Sequence, residues 1–210
     1  MLKIEWSVNM NRWDEKFKTD EYVYGVEPNE WVRTVLRREK GRSIALLAEG
    51  EGRNAVYLAR LGNRVTTYDF SKEGIEKTKR LAASEDVTVD TNLQDITVEG
   101  ALPRATYDIS VNIFGHVPPE GKSQMFSNLI GCVKPGGLVV FELYSKEQLE
   151  YGTGGPPDMD MLYSIDEIEG YLESSFVEII HLEKVTADRH EGRMHNGRSS
   201  VIQGKLRRLA

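Results

Sequence analysis

Ile44-Ala45-Leu46-Leu47-Ala48-Glu49-Gly50-Glu51-Gly52-Arg53-Asn54-Ala55 is a short apolar run, a glycine turn and the start of a helical pattern, in that order. An apolar run without polar alternation suits a strand buried on both faces, as in a parallel sheet. Beyond the turn, Ala55, Leu58 and Ala59 recur at helical spacing. Outward from here the pattern repeats. A second strand is predicted over Arg64–Tyr68, ending at Asp69, and Ser71 can cap a helix reaching Ala83, with Gly74 weakening its first turn. A short third strand over Val87–Val89 is followed by a loop at Pro103 and a fourth strand over Tyr107–Phe114. A helix over Pro118–Cys132, a turn at Pro135-Gly136-Gly137 and a fifth strand over Leu138–Leu143 complete the series. Alternation at this spacing predicts a doubly wound, mostly parallel α/β sheet, with right-handed crossovers placing helices on both faces.

Upstream, residues 9–38 read as two short helices flanking a loop at Tyr22-Val23-Tyr24-Gly25, punctuated by Trp13, Phe17 and Trp31. Pro28 stands where the second could begin. Residues 1–40 are expected to form a helical lid on residues 41–210, the whole being one structural domain. Downstream, Gly152-Thr153-Gly154-Gly155-Pro156-Pro157 reads as a loop insertion, and Ser164 can cap a helix to Leu172. Two late strands, Val177–Leu182 and Ser200–Leu206, are predicted to be joined through a polar hairpin over 188–198.

A chain of 210 residues suits one domain with a full core. The net charge of −6 argues against a nucleic-acid backbone or an anionic membrane as main partner. The single cysteine, Cys132, cannot form an intrachain disulfide, which points to a reducing, cytoplasmic setting and a buried thiol. No apolar stretch reaches membrane-spanning length, and Met1–Trp6 lacks the apolar core of a signal peptide.

Three features carry chemistry. Gly50 and Gly52 sit between a strand and a helix, where backbone can approach a ligand closely or simply make a tight turn. Asp69 ends the second strand, where a carboxylate can accept both hydroxyls of a ribose or merely cap a helix. Together they point to a nucleoside. Ala55 stands where the dinucleotide pattern wants its third glycine, which disfavours NAD. Gln94-Asp95-Ile96 follows the third strand, and an acid there can accept from an exocyclic amine such as adenine's.

With these motifs the sequence resembles the class I S-adenosylmethionine-dependent methyltransferases, and within them the tellurite-resistance methyltransferase group. The likeness runs through Trp13–Phe17, Tyr22–Gly25, Glu49–Ala55, Tyr68–Ser71, Gln94-Asp95, Lys134–Gly137, Gly154–Pro156 and Glu191-Gly192 with His195 and Gly197. It implies seven strands in the order 3-2-1-4-5-7-6, the last antiparallel, and S-adenosyl-L-methionine as cofactor. It implies that Gly50 and Gly52 approach the cofactor, Asp69 holds the ribose, Asp95 the adenine amine, and Asn112 and Ile113 flank the methionine part. Tyr24, Glu49, Arg53, Asn54, Phe70 and Ile96 complete the candidate cofactor set. Leu46 replaces the acid, and Ala48 the glycine, common in that family; Glu49 can supply a nearby charge instead.

The expected reaction is in-line methyl transfer to a small acceptor, a thiol, a chalcogen or metalloid species or a small amine, achieved mainly by positioning. No catalytic triad is visible. His116, after the fourth strand, and His195 and Arg198, on the late hairpin, are the catalytic candidates. Arg189 and Arg193 add positive charge near the last two and would suit an anionic acceptor. No metal spacing is present. A cofactor-binding protein without catalysis, a protein methyltransferase and a nicotinamide-dependent reductase are the competing functions. A monomer or homodimer is expected.

Overall fold

The computed structural model describes residues 12–173 and 175–210. Residues 12–17 are helical (α1) and are followed by an irregular loop. Asn29, directly after Pro28, caps α2 (Glu30–Leu36) by accepting from Trp31 N and Val32 N. The alternating region then runs β1 (Ser43–Leu47), α3 (Arg53–Arg60), β2 (Arg64–Asp69), α4 (Lys72–Ser84), β3 (Asp90–Leu93) and β4 (Tyr107–Ile113). A 3-10 turn at Pro119–Gly121 leads into α5 (Lys122–Gly131) and β5 (Val133–Tyr144). Two further 3-10 turns precede α6 (Ile165–Leu172), and β6 (Val177–Glu191) and β7 (His195–Arg208) end the fold.

The sheet order is 3-2-1-4-5-7-6, as the resemblance implied. Strands 1 to 5 pair in parallel; β7 runs antiparallel to both β5 and β6. The period of two in β1 explains its unbroken hydrophobicity. Ile44 and Leu46 join Val32, Leu36, Leu58 and Val111 under α2 and α3, while Ala45 and Leu47 join Met125, Phe126, Leu129 and Phe141 under α5. Leu46 is fully buried in the first of these clusters. Cys132 is buried, and burial pushes its thiol up to about 12. Ser71 and Ser164 cap α4 and α6 through their hydroxyls, as read from the sequence.

The third, sixth and seventh strands differ from expectation. The third strand is Asp90-Thr91-Asn92-Leu93, pairing with Thr66–Asp69, rather than Val87–Val89. Val87 and Val89 instead pack beside Val56 and Leu81 between the helices. As an edge strand, β3 is polar because one side is solvated. The predicted hairpin 188–198 is mostly strand: β6 and β7 remain paired out to Glu191 and His195, leaving only 192–194 as the turn.

No helix among the described residues is long and apolar enough to cross a membrane, and no metal-ligating cluster occurs among them.

Candidate active site

In a doubly wound sheet the chain leaves neighbouring strands in opposite directions at a switch point, opening a crevice at their carboxyl ends. Here that point lies between β1 and β4, and a cleft enclosing about 200 Å³ opens there. Its walls come from Ala48–Glu51, Asp69 and Phe70, Ile113–His116 and Tyr144 at the strand ends.

Two residues at this rim hold left-handed backbone without being glycine: Ala48 (φ 53°) and Phe114 (φ 55°). Such conformations cluster at functional sites because surrounding structure must hold them. Gly52 (φ 94°) serves packing: a Cβ there would lie 2.8 Å from Thr78 Cα in α4. Gly50 lines the cleft, and a Cβ there would meet Phe17 Cζ at 3.2 Å.

Gly52, the N-cap of α3, has no side chain with which to cap it. Glu49 does so instead. Its Oε1 accepts from Asn54 N (2.8 Å) and Ala55 N (2.9 Å), and its Oε2 from Asn54 Nδ2 (3.2 Å). Desolvation raises its carboxyl to about 7 against the pull of those donors and of Arg53. Asp69 Oδ2 accepts from Gly50 N (2.7 Å) and Oδ1 from Ser71 N (2.8 Å), tying the glycine turn to the end of β2. Burial raises this carboxyl to about 6, again opposed by the backbone donors.

The segment before β1 is pinned over the cleft by a buried ion pair. Glu51 Oε1 lies 2.7 Å from Lys77 Nζ, both nearly solvent-free. Glu51 also accepts from Val23 N and Tyr24 N, each at 3.1 Å, while Lys77 donates to Glu21 O (2.6 Å). Lys16 Nζ donates to Tyr24 Oη (2.5 Å); burial, then the Arg12 charge, lowers the lysine pKa. Arg12, Trp13, Lys16, Phe17 and Tyr24 all line the cleft.

The β6–β7 turn meets this segment edge on. Arg193 N donates to Val23 O (3.1 Å), and a Cβ on Gly192 would lie 2.5 Å from Tyr24 C. Beneath the contact lies a buried charge network. Arg53 Nη2 donates to Glu191 Oε2 (2.6 Å), and Arg189 Nη1 to Glu191 Oε1 (3.0 Å). Arg189 Nη2 stands 2.6 Å from Glu142 Oε2 on β5. Asn29 Nδ2 donates to both Glu142 Oε1 (2.7 Å) and Glu191 Oε1 (3.1 Å). Two guanidinium groups thus face two carboxylates, with Asn29 as a further donor, while Arg189 Nε and Nη2 make no hydrogen bond among the described residues.

The far end of the cleft is aromatic. The Phe114 and Tyr144 rings stack at 4.4 Å, and the His195 ring lies 4.4 Å from Tyr24, 4.7 Å from Phe114 and 5.4 Å from Tyr144. The glycine-proline insertion closes this end through residues 154–157, with Met161 and Met194. Among the described residues, Tyr144 Oη and His195 Nδ1 have no hydrogen-bond partner.

His116 lines the cleft, but backbone occupies both ring nitrogens: Nε2 accepts from Tyr144 N (3.2 Å), so Nδ1 donates to Met161 O (3.0 Å). Burial lowers its pKa to about 4. His195 also lines the cleft, whereas Arg198 is exposed and does not. Of the other candidates, Tyr24, Glu49, Gly50, Arg53, Asn54, Asp69, Phe70 and Ile113 border the cleft. Gly52, Asp95, Ile96 and Asn112 stand outside that lining. Asp95 accepts from Thr97 N (2.8 Å) on the loop after β3, Ile96 is core, and Asn112 Oδ1 accepts from Gly115 N (3.0 Å). Arg189 is locked in the charge network, and Arg193 pairs with Glu21 at the exposed surface (2.8 Å). The arginines grouped at the hairpin in sequence are therefore separated in space. Phe114, Tyr144, Met161 and Met194 were absent from the candidates; only their places at strand ends and turns could have flagged them.

Residues 44–137 match the family described as Methyltransferase domain, Methyltransf_25. No curated protein matches the sequence. Among solved structures, the fold is similar to that of a protein studied for the conversion of a disulfide bond into a thioacetal group during echinomycin biosynthesis. The TM-score is 0.77 at 14% identity, covering 95% of this chain and 91% of that one. It is similar to TehB from Haemophilus influenzae, with TM-score 0.69 at 18% identity, covering 95% and 66%. It is also similar to an S-adenosylmethionine-dependent methyltransferase from Clostridium acetobutylicum, with TM-score 0.68 at 14% identity, covering 98% and 99%. Residues 44–137 thus match a methyltransferase-domain model, and the seven-stranded sheet that contains them is similar in fold to that of an S-adenosylmethionine-dependent methyltransferase.

Proposed function

We propose that this chain binds S-adenosylmethionine in the cleft and transfers its methyl group to a small-molecule acceptor. The observation that carries this is Asp69. It is fixed at the end of β2 by one backbone donor on each oxygen, and it lines the cleft beside the glycine turn. Each oxygen keeps a lone pair, which fits the two hydroxyls of a ribose. Phe70 and Ile113 would flank the nucleoside and methionine parts, Glu49 would face the methionine ammonium, and Asp95, on the loop beyond the cleft lining, would meet the adenine amine at the cleft's edge through its Oδ2. Leu46 lies in the apolar core, whereas Glu49, just beyond β1, lines the cleft and, unlike its neighbour Glu51, has no lysine partner among the described residues. The bound sulfonium supplies an already activated methyl group; the chain's task is to orient the acceptor and exclude water. Residues 1–40 act as the lid in this proposal, of which 1–11 lie outside the described residues and Val23 and Tyr24 are held by the Glu51–Lys77 pair.

An enclosed aromatic end with few free polar atoms favours a small acceptor over a polypeptide. Calorimetry with S-adenosylhomocysteine and with NAD tests the cofactor, and tighter binding of NAD overturns it. Radiolabelled S-adenosylmethionine offered with thiols, selenite, tellurite and amines then identifies the acceptor class.

A further inference from the structure

Glu191 and His195 are directly opposed in the register of β6 and β7, the last pair before the turn. Opposed residues on one sheet face bring their Cβ atoms within about 5 Å. Here Glu191 Oε2 stands 4.0 Å from His195 Nδ1. That nitrogen is buried and has no hydrogen-bond partner among the described residues. Glu191 cannot easily turn away, because Arg53, Arg189 and Asn29 hold its carboxylate in place. The 4.0 Å separation is about 1 Å longer than a hydrogen bond, and a ring shift of that size within the Tyr24, Phe114 and Tyr144 cage closes it. Only His195 of the pair lines the cleft.

We propose that Glu191 is the positioning residue for His195: it takes a hydrogen bond from Nδ1–H and leaves Nε2 bare, so that His195 accepts a proton from an uncharged acceptor. This rests on the methyl-transfer reading. As the acceptor's lone pair forms its bond to the methyl carbon, the carbon–sulfur bond breaks with its electron pair to sulfur, and the acceptor's proton passes to His195 Nε2. His116 cannot serve, since backbone uses both its nitrogens. Burial, then the charges of Arg53 and Lys16 with His116 and Arg189, hold His195 well below its usual range, so it stands neutral, and the Glu191 carboxylate is what would support the imidazolium formed on proton transfer. A base oriented by a third group is the general logic of paired acid–base sites.

The test has two parts. Nitrogen-15 NMR of the histidine-labelled full chain with S-adenosylhomocysteine reads the tautomer without turnover. The expected result is Nδ1–H in the wild type and loss of that preference in Glu191→Gln. A wild-type Nε2–H tautomer, or one unmoved by the substitution, overturns the proposal. Should the Gln variant fail to fold, Glu191→Asp keeps the charge but draws back from the imidazole, and is read the same way. Kinetics then compare benzyl mercaptan, protonated at neutral pH, with 4-nitrothiophenol, already a thiolate. With the protonated thiol, His195→Gln should lower kcat by about 100-fold. Glu191→Gln should lower it on the order of tenfold, with KM held. On the thiolate, which has no proton to give up, both variants should lose several-fold less than on the protonated thiol. An equal fall on both thiols assigns Glu191 only to holding the β6–β7 turn. If wild type turns over neither thiol, the tautomer decides this proposal, and S-adenosylhomocysteine calorimetry separately decides the methyl-transfer reading.

Discussion

Glu49→Gln is the substitution whose effect can be worked most fully. The folded carboxyl sits at about 7 against 4.5 in the open chain, so the folded state holds the proton more tightly. The sign follows: between those values the folded state binds more protons than the unfolded state, so this group lowers stability as pH rises and adds nothing further above 7. The difference of about 2.5 units corresponds to roughly 3 kcal/mol, an upper bound because the part of Glu49 facing the cleft meets water. Glutamine keeps an oxygen for Asn54 N and Ala55 N and never ionises. At pH 8 it should stabilise the chain by roughly 2–3 kcal/mol, raising Tm by about 4–10 °C. At about pH 4, below both values, Glu49 is protonated in the folded chain and mostly so in the unfolded chain, and the two proteins should melt nearly together. Calorimetric melting at both values checks this. A destabilisation of equal size at both would refute it, showing that the charged cap holds α3 without a desolvation penalty. Above pH 7 the same variant should bind S-adenosylhomocysteine about tenfold more weakly, if Glu49 faces the ammonium.

Asp69→Ala should weaken cofactor binding by roughly 1.5–3 kcal/mol by calorimetry. Unchanged affinity in a folded variant would leave Asp69 as a tie for the glycine turn. Lys77→Met strands the buried Glu51 carboxylate and should destabilise by about 3–5 kcal/mol in urea melts. A loss below about 1 kcal/mol would mean that the two backbone donors satisfy Glu51 alone. Ala48→Gly relieves a left-handed alanine, a strain of about 1–2 kcal/mol, against an unfolded-chain entropy of about 0.5–1 kcal/mol. Tm should hold or rise slightly, and a clear fall would show that the Cβ packs more than it strains.

Much of the fold was legible in the sequence because it is written in short-range pattern. The doubly buried strands at Ile44–Leu47 and Leu138–Leu143, the caps at Ser71 and Ser164, and the acid ending β2 all follow from local period and local hydrogen-bonding chemistry. Sheet order came from resemblance rather than period, since period cannot say which strands are neighbours. Polar edges were misplaced for the same reason: Asp90–Leu93 carries no apolar signature once one side is solvated, and β6 shows its inward face through Arg189 and Glu191 rather than through apolar residues.

What the tertiary structure alone decided is the employment of each charge. In the sequence Arg189, Arg193 and Arg198 are one basic cluster; in space one is buried between Glu142 and Glu191, one pairs with Glu21 at the surface, and one lies outside the cleft. Glu51, within the glycine turn, holds Val23 and Tyr24 and pairs with Lys77, 26 residues away, while its neighbour Glu49 caps a helix. A strand pattern depends on residues two apart and is fixed by backbone geometry, so sequence suffices to read it. A buried charge depends on whichever partner the fold brings within hydrogen-bond reach, across 113 residues for Asn29 and Glu142, and only the folded chain determines that partner.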